Sequence, residues 1–433
     1  MTGTMQIQPT WFGHPRGLTV LFLTNMWEQF SYYGMRALLV YFMTKELLFG
    51  QAHASFIYGA YTAAAYFTPI LGGMLADRVL GKRRAIIIGA SVMAAGHFMM
   101  TFDALFYLAL ATIALGNGLF LPTLPSQVGD LYARGDARRG WAFNVYYVGI
   151  NIGGFLAPLI CGTVGELYGW HYGFGLAGIG MLLGLAIYVG GARYLPPETL
   201  PARSTVTTDA PRGLGRETIL VLIGIGLAVT VFRAAYEQVG NTVALWADSG
   251  VDRAAGGFLI PMTWFQSLNP LFVMLLTPPL LAYWHRRAAA GIDQAPLRRM
   301  ACGALIVALA YLLLAAVGWT ANGQVTGWIW LVLFFLVLTI GELFILPTGL
   351  GLFARLAPRH LGSTTVAAWF LVTFSGSLAA GLVGSLWSRF APGTFFALLA
   401  LLSAIAAGLL WRLHRPMQAA DRLHAMTPAP SAP

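Results

Sequence analysis

Charge is scarce in this sequence. Only 10% of its 433 residues are charged and 58% are hydrophobic, whereas a soluble domain carries about 25% charged residues. That shortage excludes a water-facing surface for most of the chain and makes lipid its solvent. Cysteine is scarcer still. Cys161 and Cys302 lie inside apolar runs with no metal-ligand spacing, so both read as packing residues and neither a disulfide framework nor a metal centre is expected. The His-Glu-x-x-His, Gly-x-Ser-x-Gly and P-loop patterns are missing, which argues against an embedded enzyme and an ATP-driven pump. No cofactor is expected. Acidic residues number 16 against 26 basic ones, a formal net charge of +10. Nucleic acid is not the implied partner, because the basic residues fall in short clusters between apolar runs, where they set topology. No cleavable leader is expected, since the apolar run beginning near Leu18 is too long for one.

What the sequence has in abundance is apolar runs long enough to cross a hydrocarbon core of about 30 Å. They recur at 18–44, 54–77, 85–101, 105–131, 141–165, 172–192, 217–246, 260–284, 299–318, 326–353, 362–387 and 393–412. The 51 glycines suit close helix–helix approach in a bilayer. Of the 26 basic residues, Lys45, Arg253 and Arg389 fall in odd-to-even connections, and Arg36 and Arg233 lie inside spans. The remaining 21 sit at the termini and in even-to-odd connections, which predicts cytoplasmic termini. A Pro-, Thr- and Arg-rich stretch at 193–216 reads as a flexible cytoplasmic linker. It divides the chain into an N-terminal six-helix bundle (1–192) and a C-terminal one (217–412), followed by a flexible cytoplasmic tail (413–433). The expected fold class is an all-α membrane protein of 12 transmembrane helices in two six-helix bundles.

An ionisable group at mid-bilayer costs about 2.5–3.5 kcal/mol on insertion scales, so each one marks a candidate site. Five stand well inside spans: Glu28 and Arg36 in the first, Arg233 and Glu237 in the seventh, and Glu342 in the tenth. Three acids and two bases leave one negative charge if all ionise, an opening for proton coupling. The bland alternative is a set of static ion pairs holding helices together. Arg233 and Glu237 are four apart and share a helix face, so an intrahelical pair is expected. Glu28, Tyr32 and Arg36 form one polar stripe that should face a cavity and not acyl chains.

Between the second and third runs, Gly72-Gly73-Met-Leu-Ala-Asp77-Arg78-Val-Leu-Gly81-Lys82-Arg83-Arg84 resembles the loop signature of the major facilitator superfamily. There the glycines would permit a tight turn and Asp77 would pair with arginines at neighbouring helix ends. Further motifs agree with one family within it. The first run holds Glu28-Gln29-Phe30-Ser31-Tyr32-Tyr33-Gly34-Met35-Arg36, and the fifth holds Asn151-Ile152-Gly153. Gly169-Trp170-His171, Tyr236-Glu237-Gln238, Trp264-Phe265-Gln266, Asn269-Pro270, Gly341-Glu342 and Trp369-Phe370 follow. From Thr24 to about Gly381 the sequence resembles the proton-dependent oligopeptide transporter family, as a divergent bacterial-type member. It departs from the family pattern at four places. Asn25 stands for a Glu, Gln29 for an Arg, Leu121 for a Lys, and Arg233 for a Trp. Gly59 occupies the place of a proton-linked His of animal members, and His53 is only nearby.

The resemblance implies a proton-coupled importer of di- and tripeptides working by alternating access. Glu342 would take the peptide's amino group, and Arg36, with Tyr32 and Tyr33, its carboxylate. Tyr66, Asn151 and Asn269 would bond the peptide backbone, and Trp264 and Trp369 would line side-chain pockets. Arg233 would supply the positive charge that Leu121 no longer gives. Glu28 and Glu237 would handle the proton, and Arg36 and Glu237 would form an outer gate released when Glu237 is protonated. Left without the family's neighbouring cations in low-dielectric surroundings, Glu28 should favour its protonated form. Peptides, protons and the lipid bilayer are the implied partners, with a monomer in the bacterial inner membrane. Rival readings are a facilitator for an amino acid, nitrate or a sugar, and a peptide facilitator uncoupled from protons.

Overall fold

The computed structural model describes residues 10–133, 135–197, 216–291, 295–356 and 362–426. Most of the linker, the residues 292–294 and 357–361, and the end of the tail lie outside the described residues. What is described is almost wholly helical, and the strands are two-residue pairings in loops. Such a result follows from the solvent. In hydrocarbon every backbone polar group must be bonded within the chain, and a helix does this locally.

In chain order the helices are α1 (Arg16–Tyr41), α2 (Gln51–Leu75), α3 (Lys82–Met99), α4 (Phe106–Phe120), α5 (Thr123–Asp130), α6 (Arg138–Ala157), α7 (Thr163–Tyr168) and α8 (Trp170–Gly190). They continue as α9 (Arg216–Tyr236), α10 (Thr242–Ser249), α11 (Leu268–Ala289), α12 (Pro296–Thr320), α13 (Ile329–Leu356), α14 (Gly362–Gly384) and α15 (Pro392–Met426). Some join into one path. Arg138–Tyr168 runs continuously through a π turn, Ile219–Ser249 through a 3-10 turn, and Asp103–Asp130 through a plain turn at Leu121 and Pro122. Among the described residues, eight helical stretches are long and apolar enough to cross a membrane. The longest extensions past the expected runs are at α11, which continues to Ala289, and at α15, which passes 412 and reaches Met426.

The chain groups into two compact units, Met1–Leu48 with Ala64–Ser204, and Phe49–Ala63 with Thr205–Pro433. The first has a core of Leu21, Met93, Phe120, Met181 and Tyr188. The second is centred on Phe232, Phe334, Phe335, Phe395 and Phe396. Each repeats the same helix clasp. In the first unit a Cβ on Gly89 would lie 2.7 Å from the Gly116 carbonyl oxygen, and the reverse distance is also 2.7 Å. In the second, Gly303 and Gly341 stand in the same relation at 2.6 Å both ways. Backbones this close admit no side chain, the small-residue packing that substitutes for hydrophobic driving force in lipid.

The first half of α2 is fastened within the second unit. Gly59 lies against the backbone of Gly381 on α14, which explains why no side chain stands at 59. Gln51 Nε2 donates to the Gly384 carbonyl (2.9 Å) and to Ser55 Oγ (2.7 Å), and Ser55 Oγ donates to Asn241 Oδ1 (2.8 Å).

The loop after α2 corrects two expectations. Gly72 and Gly73 belong to α2, not to a turn, and Gly72 packs on the Gly118 backbone. The turn is made by Gly81, at φ +76°. The ion pair of this region is Lys82–Asp130 at 2.5 Å, and Arg83 Nη2 donates to the Ala192 carbonyl at 2.8 Å. Asp77, reached by neither, makes no ion pair among the described residues. Further along, Arg138 grips Asp136 with Nη2 at 2.7 Å, and this hydrogen bonding holds the Asp136 carboxyl below the usual carboxylate range.

Candidate functional site

The five intramembrane ionisable groups fall into both units, and each unit assembles its own polar cluster. In the first, Glu28, Gln29, Tyr32 and Tyr33 of α1 face Ala65 and Tyr66 of α2 and Asn117 of α4, with Leu121 just beyond it. Together they line a cavity of about 70 Å³. The expectation that the α1 stripe faces a hollow holds for Glu28 and Tyr32. Arg36, two turns further on, is half-buried.

Glu28 is 1% exposed, and its carboxylate accepts a hydrogen bond from Gln29 Nε2 at 2.6 Å. The phenol of Tyr146, buried on α6, lies within its electrostatic reach. Asn117 Nδ2 donates to the Ala65 carbonyl at 2.8 Å and so ties α4 to α2 at the cavity wall. Three of the family departures now have a local role. Asn25 Nδ2 donates to the Tyr146 carbonyl (3.2 Å) and fastens α1 to α6. Gln29 bonds Glu28 directly, and Leu121 presents an alkyl surface to the cavity. Asn151 is buried, but its amide donates to the Tyr147 carbonyl one turn back (2.9 Å). That bond is within its own helix, neither across helices nor into the cavity.

In the second unit, Arg233 and Glu237 form the expected intrahelical ion pair, and both are almost fully buried. Glu237 opens the 3-10 turn Glu237–Gly240, where the helical path changes pitch between α9 and α10. Glu342 on α13 accepts hydrogen bonds from Asn269 Nδ2 and from the Tyr236 hydroxyl, and it lies in the fields of Arg233 and Glu237. The other Asn269 amide hydrogen goes to Thr339 Oγ1 at 3.1 Å. So Arg233, Glu237, Asn269 and Glu342 come together as one cluster. Trp264 sits against Phe258, with ring centroids 5.7 Å apart, and the Trp369 ring crosses Gly349.

Sequence reasoning missed Gln29, Asn117, Tyr236 and Thr339 as parts of these clusters. Gln29 and Tyr236 stand in motifs that were visible, but a neutral amide or hydroxyl in an apolar run carries little insertion penalty and does not announce itself. Gly376, which makes room for Arg233, had no signal at all. Among the described residues no group of His, Cys, Asp and Glu could hold a metal ion.

Chemically, the first cluster is a carboxylate in a largely phenolic and amide-lined hollow. The second is a buried acid pair sharing one guanidinium. Both hold buried carboxylates among hydrogen-bond donors.

Comparisons with known proteins agree on one relationship. The model of the POT family matches residues 83–210 and 213–407. The chain is 34% identical to the peptide transporter YePEPT of Yersinia enterocolitica, over 87% of this chain and 88% of that one. It is 31% identical to a di-/tripeptide transporter of Lactococcus lactis subsp. cremoris, over 96% and 98%. A solved structure of a mutant peptide transporter POT in complex with alafosfalin superimposes with a TM-score of 0.84 at 31% identity, covering 94% of this chain and 97% of the other. With the family match spanning well over half of its length, the chain belongs to the POT family.

Proposed function

We propose that this chain is a proton-coupled symporter that imports di- and tripeptides by alternating access. On this reading it has twelve spans in two six-helix bundles, in the manner of the major facilitator superfamily. The linker 193–216 and both termini lie in the cytoplasm, and the protein works as a monomer in the bacterial inner membrane. The observation that carries the reading is the burial of Glu28, Arg233, Glu237 and Glu342 in apolar helices, grouped into two hydrogen-bonded clusters. Such groups are retained in lipid against an insertion penalty and mark the path of ions or charged cargo. The named relatives supply the cargo class, since they are called peptide transporters.

A short peptide is a zwitterion with a variable side chain, so its site needs an anion, a cation and neutral hydrogen-bonding groups. Glu342, oriented by Asn269 and Tyr236, takes the amino group. Arg36, with Tyr32 and Tyr33, takes the carboxylate. Tyr66, Asn151 and Asn269 bond the peptide backbone; Asn151 does so through its carbonyl oxygen, its amide being engaged with Tyr147. Trp264 and Trp369 bound the side-chain space. Recognition of the backbone alone explains how one site accepts many sequences. Arg36 and Glu237 are the gate partners, and Glu28 and Glu237 are the carboxylates available to a proton.

The test is counterflow of labelled dialanine into proteoliposomes holding the full chain. Excess unlabelled dialanine should abolish the signal and free alanine should not. An acidic exterior should drive accumulation above the outside concentration. Exchange of alanine, nitrate or a sugar in place of dialanine would overturn the cargo, and accumulation indifferent to the gradient would overturn the coupling.

A further inference from the structure

Two helices of the second unit run on past their apolar stretches, and both carry arginines there. α11 ends with Arg286 and Arg287 in its last turn, and α15 continues through Arg412 and Arg415. Beside them α12 opens with Arg298 and Arg299. No acid occurs in 281–291, 295–300 or 401–417, and Asp293 lies outside the described residues. The three helix ends are joined by contacts between arginine and aromatic rings. The Arg298 guanidinium lies over the Trp411 ring of α15 at 5.5 Å, and that of Arg299 over the Trp284 ring of α11 at 4.7 Å. The Arg287 guanidinium stands 5.6 Å from the Tyr283 ring centroid and donates to the Tyr283 hydroxyl at 2.7 Å. His414 lies in the fields of Arg298 and Arg415, so the cations crowd one corner of the unit.

A topology signal needs no such order. Lys and Arg direct insertion by their number near the end of a span, not by what they touch. Here three guanidiniums are held over rings, an arrangement that orients them and leaves their N–H edges available to a pair of phosphate oxygens. Away from the arginines, the same helix faces are apolar and uncovered. On α12, Leu305, Leu309 and Leu312 follow Arg298 at helical spacing on one stripe, and all three are exposed. On α15, Leu401, Ile405 and Leu409 lead up to Arg412 in the same way and are also exposed. Trp411, 54% exposed, stands where apolar stripe gives way to charge, the level at which indoles collect in a bilayer.

We propose that this corner of the second unit is a binding site for an anionic phospholipid, in the leaflet on the side proposed to be cytoplasmic. The headgroup phosphate accepts hydrogen bonds from Arg298 and Arg412 beside Trp411, with Arg299 and Arg287 flanking it towards α11. The acyl chains lie along the exposed stripes of α12 and α15. A soluble anion would use the arginines and leave those stripes unexplained. With no carboxylate in these segments to meet a choline or ethanolamine, the site takes a net-anionic headgroup over a zwitterionic one. The inference needs the chain to lie in a bilayer and does not depend on the peptide reading.

The test counts lipid bound to the purified full chain. The protein, in neutral detergent, is titrated with phosphatidylglycerol and followed by native mass spectrometry. Near an anionic lipid each arginine contributes about fivefold in affinity, so R298Q/R412Q should bind about 30-fold more weakly than the parent. R298K/R412K keeps the charge and the insertion signal but loses the planar fork, and should bind about fivefold more weakly. R78Q/R193Q removes two cations from basic connections of the first unit and should stay within about twofold of the parent. Phosphatidylcholine should bind the parent and every variant alike. Equal losses in R298Q/R412Q and R78Q/R193Q would reduce the cluster to diffuse charge and overturn the site. Parent-like binding by R298K/R412K would do the same, as would equal affinity of the parent for the two lipids. Displacement of the lipid by equimolar inorganic phosphate would make the ligand a soluble anion and overturn it too. Should R298Q/R412Q fail to fold, the lysine variant decides, because it preserves every positive charge.

Discussion

At the scale of single residues, the first unit's cavity is a place where charge has been withdrawn. Leu121 presents an alkyl chain to the hollow that Glu28 shares with three tyrosines. A lysine placed there would set a cation beside the carboxylate and favour its ionised form. L121K should therefore move the pH midpoint of gradient-driven dialanine uptake towards acid by roughly one unit, read from initial rates across a pH series. An unchanged midpoint would mean that residue 121 does not feel Glu28. The ionisable members of both clusters were legible in the sequence, because a charge in an apolar run stands out. Their neutral partners were not. Gln29 beside Glu28 and Tyr236 beside Glu237 looked like ordinary motif letters until the hydrogen bonds to Glu28 and Glu342 were seen. Gly72 shows the opposite error. A glycine next to a glycine reads as a turn, yet its meaning is contact with Gly118 inside a helix.

At the scale of elements, glycine pairs do the joining. Gly303 on α12 and Gly341 on α13 meet backbone to backbone, as Gly89 and Gly116 do on α3 and α4. G303V would force α12 from α13 and should destabilise the protein by about 1–3 kcal/mol, seen as a lower midpoint in thermal unfolding of the detergent-solubilised chain. G408A on α15 is the matched control. Nothing lies within 4 Å of its added methyl, so the change should be neutral or stabilising by up to about 1 kcal/mol. Equal effects of the two substitutions would refute the clasp. Most helices were readable from their apolar runs, since length and hydropathy are what lipid selects. Their ends were less so. α15 runs on to Met426 through Arg412, His414 and Arg415, because leaving the hydrocarbon ends a run of apolar letters but need not end a helix.

At the scale of the whole molecule, the placement of the basic residues predicts which loops meet the cytoplasm. After Cys161 and Cys302 are replaced by serine, D209C in the linker should react with a membrane-impermeant maleimide only in inside-out vesicles. S388C, in the connection before α15, should react only in intact cells or right-side-out vesicles. Reversed labelling would invert the proposed orientation and with it the direction of import.

The ion pair of Arg233 and Glu237 also bears on how the protein is made. Spans reach the bilayer one after another during synthesis, so a buried charge meets lipid before later helices exist to shelter it. Arg233 and Glu237 emerge on one segment and enter as a neutralised couple, not as two separate charges at about 2.5–3.5 kcal/mol each. Glu28 arrives with Gln29 beside it. Glu342 comes last, after Tyr236 and Asn269, the two donors it ends up bonding, are already in place. Each acid is thus translated alongside or behind its partner, and the order of the chain itself spares the membrane an unaccompanied carboxylate.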